Sequence, residues 1–251
     1  MMAAAPELSI VIPAYNEENR LPRALQLIGE YLAARPSLTS EILVVDDGSA
    51  DGTARVVDEW RQRMPNLRLV SNGRNRGKGF SVKHGMLEAR GRIAMFTDAD
   101  LSAPIEEADK LFRALQNNDF AIGSRAIDRS LIFVRQSRLR EYAGIIFNGI
   151  VRVMTEVQFE DTQCGFKAFL RERSRIIFEQ QRIEGFGFDP EILFLAWRHG
   201  LRGAEVPVRW AHDPATKVHV IRDSFRMFAD LFVIRWNWLL GRYPKMPPLS
   251  L

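Results

Sequence analysis

Cysteine is nearly missing from this chain. Cys164 stands alone among 251 residues, which excludes an internal disulfide framework and fits a reducing compartment. Paired Cys and His at ligand spacing are missing too, which removes a structural zinc site. Of the four histidines, His84 and His199 fall in helical patterns and read as structural, while His212 and His219 flank Lys217. No run reaches the ~18 uninterrupted apolar residues of a spanning helix. Met1 to Pro6 holds no charged segment leading into a long apolar stretch, so no secretory signal is visible. There is no low-complexity linker, internal repeat, helix-turn-helix or RNA-recognition signature, so nucleic acid is not an expected partner. The expectation is a cytoplasmic protein that is not integral to a membrane.

Against these absences stands an ordinary globular balance, 46% apolar and 26% charged, rich enough in hydrophobic residues to fold unaided. The length admits one α/β domain over 1–251. Net charge is only +4, yet Arg125, Arg129, Arg135, Arg138 and Arg140 crowd into sixteen residues, which fits an anionic partner or a solvated face. Through the first 125 residues short apolar runs alternate with helical patterns, the signature of βαβ units and a doubly wound, mainly parallel sheet. Strands are expected at Leu8 to Ile12, Ile42 to Val45, Leu67 to Val70, Ile93 to Phe96 and Phe120 to Gly123. Helical spacing links Leu21, Leu25, Ile28 and Leu32, then Val56, Trp60 and Met64. It also links Val82, Met86 and Ala89, and Ile105, Ala108, Phe112 and Leu115. Beyond residue 125 the alternation breaks, leaving a helix near Tyr142 to Met154, a strand around Phe166 to Leu170 and a helix at Pro190 to Trp197.

Two acidic clusters follow expected strands, where open parallel sheets bind ligands. Asp46-Asp47-Gly48-Ser49 with Asp51-Gly52-Thr53 reads as a ligand loop or as helix capping, since Asp, Ser and Thr favour N-caps. In Thr97-Asp98-Ala99-Asp100, residues two apart on an extended chain point to the same side, so Asp98 and Asp100 present their oxygens together. Like charges so close repel, and a divalent cation removes the repulsion. Mg²⁺ in particular is held by one or two carboxylates plus substrate phosphates.

Ile12-Pro13-Ala14-Tyr15-Asn16-Glu17, Val45-Asp46-Asp47-Gly48-Ser49 and Asp98-Ala99-Asp100 resemble the donor-site motifs of family 2 glycosyltransferases. The likeness continues through Gly123-Ser124-Arg125, Ser137 with Arg140, Asp161-Thr162-Gln163-Cys164-Gly165-Phe166-Lys167 and Phe188-Asp189-Pro190-Glu191-Ile192-Leu193. It ends with Glu205-Val206-Pro207-Val208-Arg209-Trp210, Lys217 and Asp223-Ser224, so nearly the whole chain takes part. Within the family the set is most similar to the dolichyl-phosphate β-glucosyltransferases, with the mannose synthases a step further off. The resemblance implies a Rossmann-like GT-A fold, with a nucleotide-sugar-binding half, 1–125, and an acceptor half, 126–251. It implies that Pro13, Tyr15, Glu17 and Asp47 surround the nucleoside. Asp98-Ala99-Asp100 would meet the diphosphate, with Asp98 and Asp100 holding Mg²⁺ or Mn²⁺. Arg125, Arg140 and Lys217 would meet donor or acceptor phosphates, and Asp161 would lie beside the reacting sugar. The implied donor is UDP-glucose and the implied acceptor a polyprenyl or dolichyl phosphate. Leu101-Ser102 departs from the Leu-Gln that follows the metal motif in the mannose synthases.

These residue types suit that chemistry. A phosphate monoester is already ionised near neutral pH, its second pKa being about 6, so it needs positioning more than deprotonation. Arginine's planar fork grips phosphate bidentately. Asp161 orients the sugar, acts as a weak base, or serves a turn before the Phe166 strand. A lipid acceptor demands peripheral contact with the cytoplasmic face of a membrane. Phe225, Phe228, Phe232, Trp236 and Leu239 follow helical spacing, the stripe of an interfacial helix or of one packed on a core. Ile132-Phe133-Val134 forms an apolar tip inside the basic run. Either surface also suits a homo-oligomer. GDP-mannose as donor, a saccharide hydroxyl as acceptor and a non-catalytic nucleotide-sugar binding module stay open as alternatives.

Overall fold

The computed structural model describes residues 5–134, 138–211 and 220–244, with the backbone alone at 138–141, 143 and 220–223. The expected alternation is present in the first half: β1 (Leu8–Ala14), α1 (Leu21–Ala33), β2 (Ser40–Asp46), α2 (Thr53–Arg61), β3 (Leu67–Ser71), α3 (Lys78–Glu88), β4 (Ile93–Thr97), α4 (Ala108–Ala114) and β5 (Phe120–Ser124). The helices end sooner than the apolar spacing implied. Met64, Ala89 and Leu115 fall in the turns after α2, α3 and α4, where they still point inward and remain buried. Ile105 belongs to a 3₁₀ turn ahead of α4.

The second half adds β6 (Ile132–Val134), α5 (Arg138–Thr155), β7 (Phe166–Leu170), α6 (Arg171–Gln180), α7 (Phe188–Arg198), β8 (Gly203–Pro207), β9 (Trp210–Ala211) and α8 (Val220–Leu239). Seven strands form one sheet in the order β3-β2-β1-β4-β7-β5-β8. β7 runs antiparallel to both β4 and β5, and the other pairs in this sheet are parallel. Phe120, Ala121 and Ile122 of β5 therefore pair with Phe169, Ala168 and Lys167 of β7, not with β4. A strand from the second half completes the sheet of the first, so residue 125 is not a boundary of folding. β6 and β9 pair separately.

Strand alternation divides the core. Ile10, Ile12, Ile42 and Val44 pack with α1, α2 and α4, while Val11, Leu43 and Val45 join the layer of α3, α6 and α7. Residues 188 to 196 of α7 are all buried, because α5, α6 and α8 pack around it. Beneath α7 lies an aromatic row. Phe169 stacks between Phe96 and Phe120 at 6.2 and 5.8 Å, with Phe178 edge-on at 5.2 Å.

This row fastens the inserted strand to both neighbours. Phe169→Ala is expected to cost about 3–5 kcal/mol, the range for emptying a buried aromatic site. Urea unfolding measures it, and an unchanged midpoint would show that the aromatic row does not anchor β7.

Candidate active site

The loops leaving β1 and β2 are laced together at the carboxyl end of the sheet. Asn16, in the left-handed region at φ 55°, donates its backbone N–H to Ser49 Oγ at 2.9 Å, and its side-chain oxygen accepts the Ala50 N–H at 2.9 Å. Glu17 N–H donates to Thr53 Oγ1 at 2.8 Å, and Glu18 N–H to Asp51 at 3.1 Å. Asp46, Ser49, Asp51 and Thr53 thus build the loop itself. Asp47 faces the other way. Its buried carboxylate accepts Asn72 Nδ2 at 2.7 Å, Arg76 N–H at 3.0 Å and Gly77 N–H at 2.7 Å, which ties residues 72–77 to the end of β2. His84, read as structural, meets Asn72 Oδ1 at 2.7 Å and steadies that contact. Tyr15 is half-exposed beside this loop pair, and Glu17 is bridged to Arg20 at 2.7 Å.

Asp98 and Asp100 follow β4, and Leu101 at φ 46° turns the chain away behind them. The Ala99 methyl packs into the core, so only its backbone can serve the site. Asp98 binds Lys78 Nζ at 2.5 Å. Asp100 accepts the Ser102 N–H at 2.9 Å. Burial and then the Asp98 charge push Asp100 above the usual carboxylate range. Burial alone would pull the Lys78 ammonium down, yet Asp98, Asp189 and Asp100 together hold it up. Gly165 lies directly under the Asp98 carboxylate, and any Cβ there would overlap it. No cluster of three or more potential protein ligands occurs among the described residues. Two crowded carboxylates nevertheless fit a hard cation that draws its remaining ligands from phosphates and water.

Behind this pair is a second charged layer. Lys167, fully buried on β7, binds Asp189 at 2.5 Å and the Cys164 carbonyl at 2.6 Å. Burial lifts Asp189 above its usual range despite Lys167 and Lys78. Asp161 lies at the start of the same turn. Its buried carboxylate holds Arg125 through Nε at 2.6 Å and Nη2 at 2.7 Å and also accepts the Arg125 N–H at 3.0 Å. Burial opposes the charge, but the Arg125 guanidinium keeps Asp161 below the usual range. Glu205 receives the Glu160 and Asp161 N–H groups at 2.8 Å each, which fixes the turn.

The fold therefore gathers Asp98, Asp100, Arg125 and Asp161 around one segment, 161–167, with the Asp47 loop alongside. Arg140 lies in the first turn of α5 with its side chain outside the described residues; Ser137, Lys217, His212 and His219 lie outside them altogether. Lys78, Lys167 and Asp189 had no assigned part in the sequence reading. The signal was present, since Lys78 opens a helix just after Gly77, and Lys167 and Asp189 sit within quoted motifs.

Residues 9–175 match the family model for glycosyl transferase family 2. The dolichyl-phosphate beta-glucosyltransferase of Dictyostelium discoideum is 36% identical over 247 residues, covering 93% of this chain and 75% of that one. The Homo sapiens protein of the same name is 33% identical over 250 residues, covering 94% and 77%. Among solved structures, mannosyl-3-phosphoglycerate synthase from Rubrobacter xylanophilus matches with a TM-score of 0.68 at 17% identity, over 98% of this chain and 78% of that one. Glucosyl-3-phosphoglycerate synthase from Mycobacterium tuberculosis, solved with Mn²⁺, UDP and glucosyl-3-phosphoglycerate, gives 0.64 at 21% identity, over 98% and 82%. The shared architecture, a mostly parallel mixed sheet with flanking helices, is the GT-A fold. With the family model spanning two-thirds of the sequence and relatives alike over nine-tenths of it, this chain belongs to glycosyltransferase family 2.

Proposed function

We propose that the chain is an inverting hexosyltransferase that moves glucose from UDP-glucose to a polyprenyl phosphate such as dolichyl phosphate, with Mg²⁺ or Mn²⁺ on the donor diphosphate. The observation that carries this reading is the double role of one segment: Gly165 supports Asp98 while Asp161 grips Arg125. An acid pair suited to a metal diphosphate and a guanidinium suited to phosphate are thereby held together. The names of the curated relatives favour glucose and dolichyl phosphate. In this reading 1–125 serves the donor and 126–251 the acceptor.

In the transfer, an oxygen of the acceptor phosphate bonds to the anomeric carbon from the face opposite the diphosphate. The carbon–oxygen bond to the diphosphate breaks, its electron pair leaves on the diphosphate oxygen, and the configuration inverts. Asp98 and Asp100 would hold the divalent cation, which would supply neutralisation of the leaving charge. Lys78 keeps a protein cation at the same place. Pro13, Tyr15, Glu17 and the loop fastened to Asp47 enclose the nucleoside. Asp161 stays ionised and is a poor base, which suits an acceptor needing none. It fixes the Arg125 fork toward the phosphates, with Arg140 and Lys217 completing the contacts.

No helix among the described residues is long and apolar enough to cross a membrane. On α8, Leu231, Ile234 and Asn237 face inward, while Phe225, Phe232, Trp236 and Leu239 are each more than half exposed. Phe133 is similarly exposed on β6. This outward stripe rests on the cytoplasmic face of a membrane and brings the lipid phosphate to the site.

Purified chain given UDP-glucose and polyprenyl phosphate in vesicles is expected to form glucosyl lipid, with none after chelation. Transfer from GDP-mannose alone would change the sugar, and turnover on a saccharide without lipid phosphate would remove the acceptor assignment. Asp98→Asn should lower kcat by about 10²–10³-fold with the far-ultraviolet circular dichroism unchanged. Because the acceptor's second ionisation governs attack, log kcat/KM should rise with pH up to about 6 and then remain flat. A further ascending limb between 7 and 8 would instead require a protein base. Phe232→Glu should release the protein from anionic vesicles in a sedimentation assay while leaving UDP binding intact; undiminished co-sedimentation would exclude α8 as the contact.

A further inference from the structure

The carboxylate of Glu191 is used in an unexpected way. It is fully buried in the first turn of α7, where capping its own helix would be the ordinary task of an acidic side chain. Instead it reaches back to the loop between α6 and α7. Its two oxygens accept the Arg182 N–H at 3.0 and 3.1 Å, and one takes the Ile183 N–H at 2.8 Å. The other receives the Tyr243 hydroxyl at 2.6 Å from the segment that follows α8. That segment is tied to the same region again, by Gln180 Nε2 to the Pro244 carbonyl at 2.8 Å and by Arg182 Nη2 to the Arg242 carbonyl at 2.9 Å.

The loop so held presses on the start of α3. The Glu184 carbonyl accepts the Phe80 N–H at 3.1 Å, Gln181 Nε2 donates to the Gly79 carbonyl at 2.8 Å, and Arg76 pairs with Glu184. The approach is close enough to demand glycine. A Cβ at Gly77 would meet the Glu184 carbonyl oxygen at 2.5 Å, and one at Gly79 would meet those of Ile183 and Gly185 at 2.7 Å. This pinned turn delivers the Gly77 N–H to Asp47 at 2.7 Å and Lys78 Nζ to Asp98 at 2.5 Å.

We propose that Glu191 is a positioning residue: through residues 181–184 it holds the first turn of α3, and with it Gly77 and Lys78, against the carboxylates of Asp47 and Asp98. Its consequence for nucleotide binding rests on the donor-site reading above. Replacing one oxygen by an amide turns a donor toward another donor, leaves a buried N–H or hydroxyl unpaired and loosens the loop. The turn it supports then shifts, and small misplacements of binding groups are costly.

The test uses the full chain as Glu191→Gln and Tyr243→Phe, with Ile28→Val on the opposite face of the sheet as a control for lost stability. Hydrogen exchange reports on residues 76–80, and calorimetry reports on UDP binding with Mn²⁺. Glu191→Gln is expected to speed exchange at 76–80 and to weaken UDP about tenfold, as for other residues that orient metal-site groups. Tyr243→Phe should do the same to a smaller extent, and the control should do neither. Faster exchange confined to 182–183 and 240–244, with 76–80 unaffected, would overturn the proposal. Should Glu191→Gln fail to fold, Tyr243→Phe decides on the same criterion. Should the wild type itself not bind UDP with Mn²⁺, the donor-site reading falls, and exchange at 76–80 still decides the role of Glu191.

Discussion

The charges of Asp98 and Asp100, just past β4, and of Asp189 on α7 all bear on Lys78, and the structure depends on how their mutual repulsion is managed. Two like charges 4 Å apart repel by about 4 kcal/mol at an effective dielectric near 20. The chain answers with two lysines from different elements, Lys78 at the start of α3 and Lys167 on β7. Lys167 is wholly buried, and a buried cation without a partner would cost several kcal/mol. The pairing with Asp189 is therefore a condition for inserting β7 at all. β7 must enter the sheet where α7 can present Asp189, and α3 must begin where Lys78 can reach Asp98.

The same economy of placement governs the other side of the site. Arg125 leaves the end of β5, and Asp161 meets it with both oxygens. Since Arg125 and Asp161 are matched to each other, the guanidinium plane is preset, so that in the proposed reaction it would lose little side-chain entropy on meeting a phosphate. Cys164, between these groups, is buried in the core. Burial pushes its thiol up to about 12, and its carbonyl receives Lys167.

What was legible in the sequence follows from the range of each interaction. The alternation of β1 to β5 with α1 to α4 was readable because strand and helix periods are local properties of burial. The place of β7 was not, because an antiparallel strand inserted between β4 and β5 has the same local pattern as an edge strand. α6 escaped notice since only Ser174, Ile177, Phe178 and Gln180 of its ten residues are buried, too few for a clear stripe. Asp98 and Asp100 were recognisable as a pair by spacing alone. Lys78 was not, because in a stretch with Arg74 and Arg76 it looks like one more solvated charge. The Asp46 to Thr53 segment carried two readings, a ligand loop or helix capping; Gly52 stands at the N-cap of α2 with no side-chain cap, Asp46, Ser49, Asp51 and Thr53 bond within and between the loops, and Asp47 holds the 72–77 loop.

α8 joins these local and long-range effects. Its inward residues Leu231 and Ile234 belong to the core layer that contains α7, and the Tyr243 segment beyond it reaches Glu191. Packing of the helix is thus satisfied without Phe225, Phe232, Trp236 or Leu239, which remain outside. Isolated exposed apolar residues need no explanation, but four large ones at helical spacing on one element form a patch of the kind that marks an interaction surface. A helix that merely closed the fold would be equally stable with polar residues at those positions. In the proposed reaction the outward face of α8 would meet the lipid that brings the acceptor, while the segment that follows it is tied, through Tyr243 and Glu191, to the loop that supports Lys78.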